Sequence, residues 1–267
     1  MIRRQERKRI EMPMTTLPNA AHVSPMPVAR IAGALWLISI IAGIYAEVFV
    51  RGSLIVHGDA PATAARIMAA EPLFRLGFAA DLVGDMAYTG VSILLYELLR
   101  PVSRGVSLMA LAFGLTGCAI MAANLVNLFA PLVLFADASA LNSLSPERVT
   151  LALVFLRLHG QGYSLSIAFF SIQVGALGYL ILRSTFLPRI LGVLFVIEAM
   201  GNLVSSFGGL LAIAWVGRLD SYILLPGLPA EGGMTLWLLV MGVNARKWAA
   251  TYYQMSDRDT AQATAAS

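Results

Sequence analysis

Residues 74–100 read FRLGFAADLVGDMAYTGVSILLYELLR. Preceded by Leu73, this stretch is long enough to cross a bilayer as a helix, which takes about 20 apolar residues. It nevertheless carries Asp81 and Asp85 well inside. A carboxylate at membrane depth is costly and has to face protein or water, not lipid. The two aspartates are spaced i, i+4, and Tyr88, Ser92 and Tyr96 continue roughly the same face, so one polar stripe runs along an apolar helix. At 1.5 Å per residue, Asp85 is expected about 18 Å from the outer end, near the bilayer middle. The other segments read as helices arranged around this stripe.

The composition agrees. Of 267 residues, 58% are hydrophobic and only 13% charged, with mean hydropathy +0.75. A soluble domain would alternate apolar stripes with charged faces, whereas here whole windows are apolar all round. Barrel strands would be shorter and would alternate. The expected class is all-α: a polytopic transmembrane bundle of about six spans with a cytoplasmic N-terminus. The sequence pI near 9.5 is a membrane signal and not a nucleic-acid one, because the basic excess collects at the N-terminus and the helix ends. A single cysteine, Cys118, excludes an intrachain disulfide and a Cys-pair metal site, and it reads as a small packing residue. No metal or cofactor motif is present.

Residues 1–28, with Arg3, Arg4, Arg7, Lys8 and Arg9 and four prolines, read as a basic cytoplasmic tail without regular structure. A six-helix membrane domain is expected over 29–247 and a disordered cytoplasmic tail over 248–267. The spans are read at 30–50, 73–100, 106–135, 149–182, 190–207 and 234–245, the last extended by the preceding glycines and Glu231. Between the first two, Asp59 and Pro61 predict the start of a short surface helix; His57 lies in the same loop. Ser145 and Pro146 predict the N-terminus of the fourth span. Residues 208–233 are too broken for a clean span and read as an interfacial or re-entrant segment anchored by Trp215 and Tyr222. This topology places 13 of the 19 Lys and Arg residues on the cytoplasmic side; the exceptions are Arg51, Arg66, Arg75, Arg148, Arg157 and Arg218.

At these depths Asp81, Asp85, Asn124, Asn127, Arg157, His159, Glu198 and Asn202 fall between mid-membrane and the outer face, on four spans. Gathered together they would line one ligand- or proton-binding pocket open to the outside, with Glu47 and Glu231 at its rim. Arg157 is the expected counter-ion of Asp81 or Asp85, and His159 a proton partner. The competing structural reading is a buried network that fixes helix packing, with the asparagines joining neighbouring helices.

Three function classes fit. A transporter or small-ligand-binding protein would use the carboxylates for protons or a polar ligand. An intramembrane enzyme is less well supported. A zinc hydrolase wants several histidines and only His159 lies inside. Gly162-Tyr-Ser-Leu165 lacks the last glycine of a serine-protease signature, and Gly84-Asp85 is half of an aspartyl one. A non-catalytic accessory or sensory subunit would use small-residue faces for association, which also allow a homo-oligomer. The partners expected are the lipid bilayer and a small-molecule or proton ligand, with no nucleic acid.

Several segments together carry a family likeness: ARIAGALWLISIIAGIYAEVFVRGSLIV (29–56), FRLGFAADL (74–82), LLYELLRPVSR (94–104), LHGQGYSLSIAFF (158–170), LGYLILRSTFLPRILGVL (177–194) and SYILLPGLPAE (221–231). On these the chain resembles an uncharacterised bacterial membrane family, domain of unknown function 4386, over about residues 28–245. The resemblance implies a multi-pass protein of the bacterial cytoplasmic membrane. It brings no catalytic residue or cofactor with it.

Overall fold

The computed structural model describes residues 24–56, 58–136, 145–213, 215–216, 219, 222–223 and 225–266, with side chains described to residue 257. The tail before residue 24, His57, the loop 137–144 and Arg218 lie outside the described residues.

The described chain is helical. Helix α1 (Pro25–Ile44) continues through π-helical turns (Tyr45–Arg51) and a last α turn (Gly52–Leu54). There follow α2 (Ala60–Ala69), α3 (Glu71–Leu99), α4 (Arg104–Phe135), α5 (Pro146–Arg183), α6 (Arg189–Leu210), α7 (Gly227–Val240) and α8 (Ala245–Ala266). Five of these segments are long and apolar enough to cross a membrane: Pro25–Leu54 and the helices α3, α4, α5 and α6. Large apolar side chains face outward along them, among them Ile41, Leu76, Val126 and Met200. That exposed apolar belt is what a multi-pass protein turns toward lipid.

The starts follow the sequence chemistry. Asp59 caps α2 by accepting from Ala62 N at 2.9 Å. Ser145 caps α5 by accepting from Arg148 N at 3.4 Å. Proline occupies the first turn of both, where its missing N–H is not needed. The same rule moves the first boundary. Pro25 and Pro27 open α1 and do not close a tail, so helix begins five residues before Arg30.

All the basic turns meet at one end. Trp248 Nε1 of α8 donates to Leu98 O of α3 at 2.8 Å. Asn244 N donates to Phe186 O at 3.3 Å. Met26 lies against Gly242, whose φ of +63° ends the turn after α7. Residues 248–266, expected to be disordered, are helical. Its first turns are anchored to the bundle: Trp248 and Tyr252 stack with centroids 5.3 Å apart, and Arg100 lies 6.0 Å above the Tyr252 ring.

Glycine sets the close approaches. Gly178 and Gly192 let α5 and α6 touch backbone to backbone, and a Cβ on either would meet the other's carbonyl oxygen at about 3 Å. The last crossing is broken. After α6 the chain turns at Ala212 (φ 52°) and folds back along that helix. A Cβ on Gly201 would meet the Ile223 carbonyl oxygen at 2.6 Å. Gly201 lies 12 residues past Arg189, about 18 Å along α6, so the returning segment reaches part-way through the bundle before α7 starts. Helix α7 has 14 residues, about 21 Å, shorter than the roughly 30 Å hydrocarbon core.

Candidate functional site

At the centre of the bundle stands Trp36, fully buried. Its ring packs edge-on to Tyr88 at 6.1 Å and to Phe195 at 5.9 Å, and Tyr88 packs in the same way on Phe170 at 5.2 Å. Trp36, Tyr88, Gln173 and Glu198 lie 11, 11, 10 and 9 residues from the basic ends of α1, α3, α5 and α6, or about 14–17 Å. They therefore form one layer near mid-depth.

Polar groups of this layer link α3 to α5, and α6 to α7 and α1. Tyr88 Oη donates to Gln173 Oε1 at 3.3 Å, and Gln173 Nε2 donates to Ser92 Oγ at 2.9 Å. The Glu198 carboxyl, on a residue 4% exposed, interacts with the side chains of Glu231 and Asn202. Glu231 interacts in turn with Glu198 and lies beside the Trp36 indole. Among the described residues no Lys, Arg or His faces either carboxyl. Glu231, expected at the rim, is thus half-buried beside Glu198. Its depth follows from α7 beginning at Gly227, four residues before Glu231, the limit of the expected span with its extension. A Cβ on Gly227 would lie 3.5 Å from Glu198 Oε1, so the helix break and the carboxyl pair coincide.

One turn farther from the basic end, Asp85 interacts with the side chain of Cys118, which also meets Thr89. This is the stripe read from the sequence, now with an α4 partner. Asp85 lies 14 residues, about 21 Å, from the basic end of α3.

Asp81 is paired, and not by Arg157. Arg51 Nη1 donates to Asp81 Oδ2, Arg51 Nη2 donates to Oδ1 at 3.3 Å, and Arg51 Nε donates to Glu47 Oε2 at 2.7 Å. The π-helical turns prolong α1 and carry Arg51 over α3. Arg157 is exposed and forms no ion pair among the described residues. It lies 26 residues, about 39 Å, from the basic end of the long helix α5, beyond the depth of the aspartates.

The asparagines and the histidine form a third group, between α4 and α5. Asn124 Nδ2 donates to His159 O at 2.8 Å, His159 Nδ1 lies 3.3 Å from Asn124 O, and Asn127 Nδ2 donates to Asn124 Oδ1 at 3.0 Å. Gly162 makes the room: an added Cβ would overlap the Asn124 amide. The ten residues singled out from the sequence therefore lie in distinct groups: Glu198, Asn202 and Glu231 near mid-depth; Asp85 above them; Arg51-bound Asp81 and Glu47; the Asn124–Asn127–His159 link; and Arg157 alone outside. Sequence reasoning missed Trp36, Gln173 and Arg51. Trp36 and Gln173 sit among apolar neighbours, and Arg51 falls just past the end of the first apolar run.

Among the described residues no three His, Cys, Asp or Glu side chains converge at metal-ligand spacing. Residues 31–242 match the family described as Domain of unknown function (DUF4386). No curated protein and no solved structure matches the chain.

Proposed function

The chain belongs to the DUF4386 family, and we propose that it is a transporter of the bacterial cytoplasmic membrane that couples movement of a small solute to protonation of the Glu198–Glu231 pair. The observation that carries this reading is the pair itself: two carboxyls side by side, Glu198 buried and Glu231 half-buried, at a break in the last crossing. Two adjacent carboxylates in a low-dielectric interior do not both ionise without a counter-charge, so the pair shares a proton. Broken helices at mid-depth are where secondary transporters bind solute and coupling ion. The stripe Asp81, Asp85, Tyr88 supplies a polar path from the outer mouth to the pair, and Arg51 closes its entrance by holding Asp81.

The packing reading has its own support in the Asn124–His159 link, which joins α4 to α5 and needs no ligand. It accounts for that group and leaves the carboxyl pair unexplained, because a pair without a counter-charge adds no packing strength.

The test is solute-driven proton movement in proteoliposomes holding a trapped pH dye, screened over amines, carboxylates, sugars and inorganic cations. The reading predicts a solute that moves protons through the wild type and fails to do so through E198Q. It is contradicted if no class moves protons, or if every response survives in both E198Q and E231Q.

A further inference from the structure

The surroundings of the carboxyl pair point to a second occupant. Each carboxyl is met by one neutral side chain, Asn202 at Glu198 and Trp36 at Glu231. Three polar atoms of this region are buried with no hydrogen-bond partner: Glu198 Oε2, Trp36 Nε1 and Thr235 Oγ1. Their residues are 4%, 0% and 1% exposed. The Trp36 N–H lies beside Glu231 without completing a hydrogen bond, so it is aimed into the pair. Thr235 follows Glu231 by one helical turn on the same face of α7. Buried polar atoms left without partners are rare in packed proteins, and a group of them beside two carboxyls marks a place for a guest.

The donor set defines the guest. Carboxyl and hydroxyl oxygens are hard ligands suited to alkali and alkaline-earth cations. A pair that shares one proton carries one negative charge and, once that proton leaves, two; a single monovalent cation in the proton's place restores the charge to minus one. The space is small. A Cβ on Gly227 would already touch Glu198 Oε1, and Trp36 closes edge-on against Phe195 and Tyr88. Such close packing favours a bare ion over an organic cation.

We infer that Glu198 and Glu231, with the Thr235 hydroxyl, form a binding site for a dehydrated alkali-metal cation of sodium or lithium size, which displaces the shared proton. The inference rests on the proton-linked reading above and names the coupling ion of that same site. One cation enters, one proton leaves to solvent, and the charge of the site is unchanged.

The experiment uses the purified full-length protein in detergent, weakly buffered, with a pH-indicator dye. Sodium chloride is added against choline chloride at matched ionic strength. Sodium is expected to release up to one proton per protein and choline none, and the release is expected to vanish in E198Q and E231Q. Sodium should also raise the thermal unfolding midpoint by several degrees, with an apparent affinity falling about tenfold per unit drop in pH, as one-for-one competition with a proton requires. A wild type that neither releases protons nor gains stability with sodium overturns the inference, as does release that persists in both variants. If the variants do not fold, the wild-type indicator titration decides alone. Solute-driven proton movement that proceeds in sodium-free vesicles, together with a negative titration, removes the cation site and leaves the proton-linked function standing.

Discussion

Arg51 holds Asp81 and Glu47 at once, with its side chain 14% exposed and that of Asp81 15% exposed. Glu47 is well solvated and adds little, as surface pairs generally do. The Asp81 bond is different, because removing Arg51 leaves a half-buried carboxylate facing apolar neighbours. Breaking a fully buried pair costs about 3–5 kcal/mol; with partial exposure, R51A is expected to cost about 1–3 kcal/mol in detergent unfolding. A double-mutant cycle with D81N checks it: a coupling of at least about 1 kcal/mol is expected, and additive losses would show that the contact is incidental. Asn124 is the second residue whose side chain decides local packing. N124A removes its hydrogen bond to His159 O and the acceptor used by Asn127, and the expected loss is about 1–2 kcal/mol in the same assay.

At the scale of elements, the α4–α5 pair and the returning segment before α7 both depend on a missing Cβ. Gly162 abuts the Asn124 amide, while Gly160 on the same helix has open space. G162A is therefore expected to destabilise by about 1–3 kcal/mol through overpacking, and G160A to be neutral or slightly stabilising by helix propensity. Equal effects in thermal melts would contradict the packing described. The same contrast holds for G201A, which pushes against the Ile223 carbonyl, and G232A, which meets nothing within 4 Å. The long helices were legible because apolar windows of spanning length have few other readings, and the caps at Asp59 and Ser145 because their chemistry is local. The start of α7 was not. LPGLPAEGG reads as a loop from its prolines and glycines, yet Gly227 opens a helix once the segment packs against α6. Tertiary contact overrode local propensity there, and with it brought Glu231 beside Glu198.

For the whole molecule, the convergence of Arg100, Arg104, Arg183, Arg189, Arg246 and Lys247 at one end reproduces the charge asymmetry that was readable by counting. By the positive-inside rule that end is expected to be cytoplasmic. In a C118A background, S103C is expected to resist an impermeant thiol reagent in intact cells and S145C to react; the reverse pattern would invert the topology. Which carboxylates would meet was not readable in the same way. Asp81, Asp85, Glu198 and Glu231 were each visible as expensive residues in apolar stretches. Their partners depend on helix phase and length: the π-helical turns that deliver Arg51, the reach of α5 that carries Arg157 outward, and the half-length α7 that brings Glu231 to Glu198. A one-dimensional count of depth places residues along the membrane normal and leaves their rotation about each helix axis open.

The pairing of Glu198 with Glu231 is the centre of this account, and infrared difference spectroscopy of the carboxyl stretch tests it most directly. At neutral pH the wild type is predicted to show a protonated carboxyl signal that is lost in the double variant E198Q/E231Q. A wild-type spectrum without that signal, or one that the double variant reproduces unchanged, would contradict a shared proton at mid-depth.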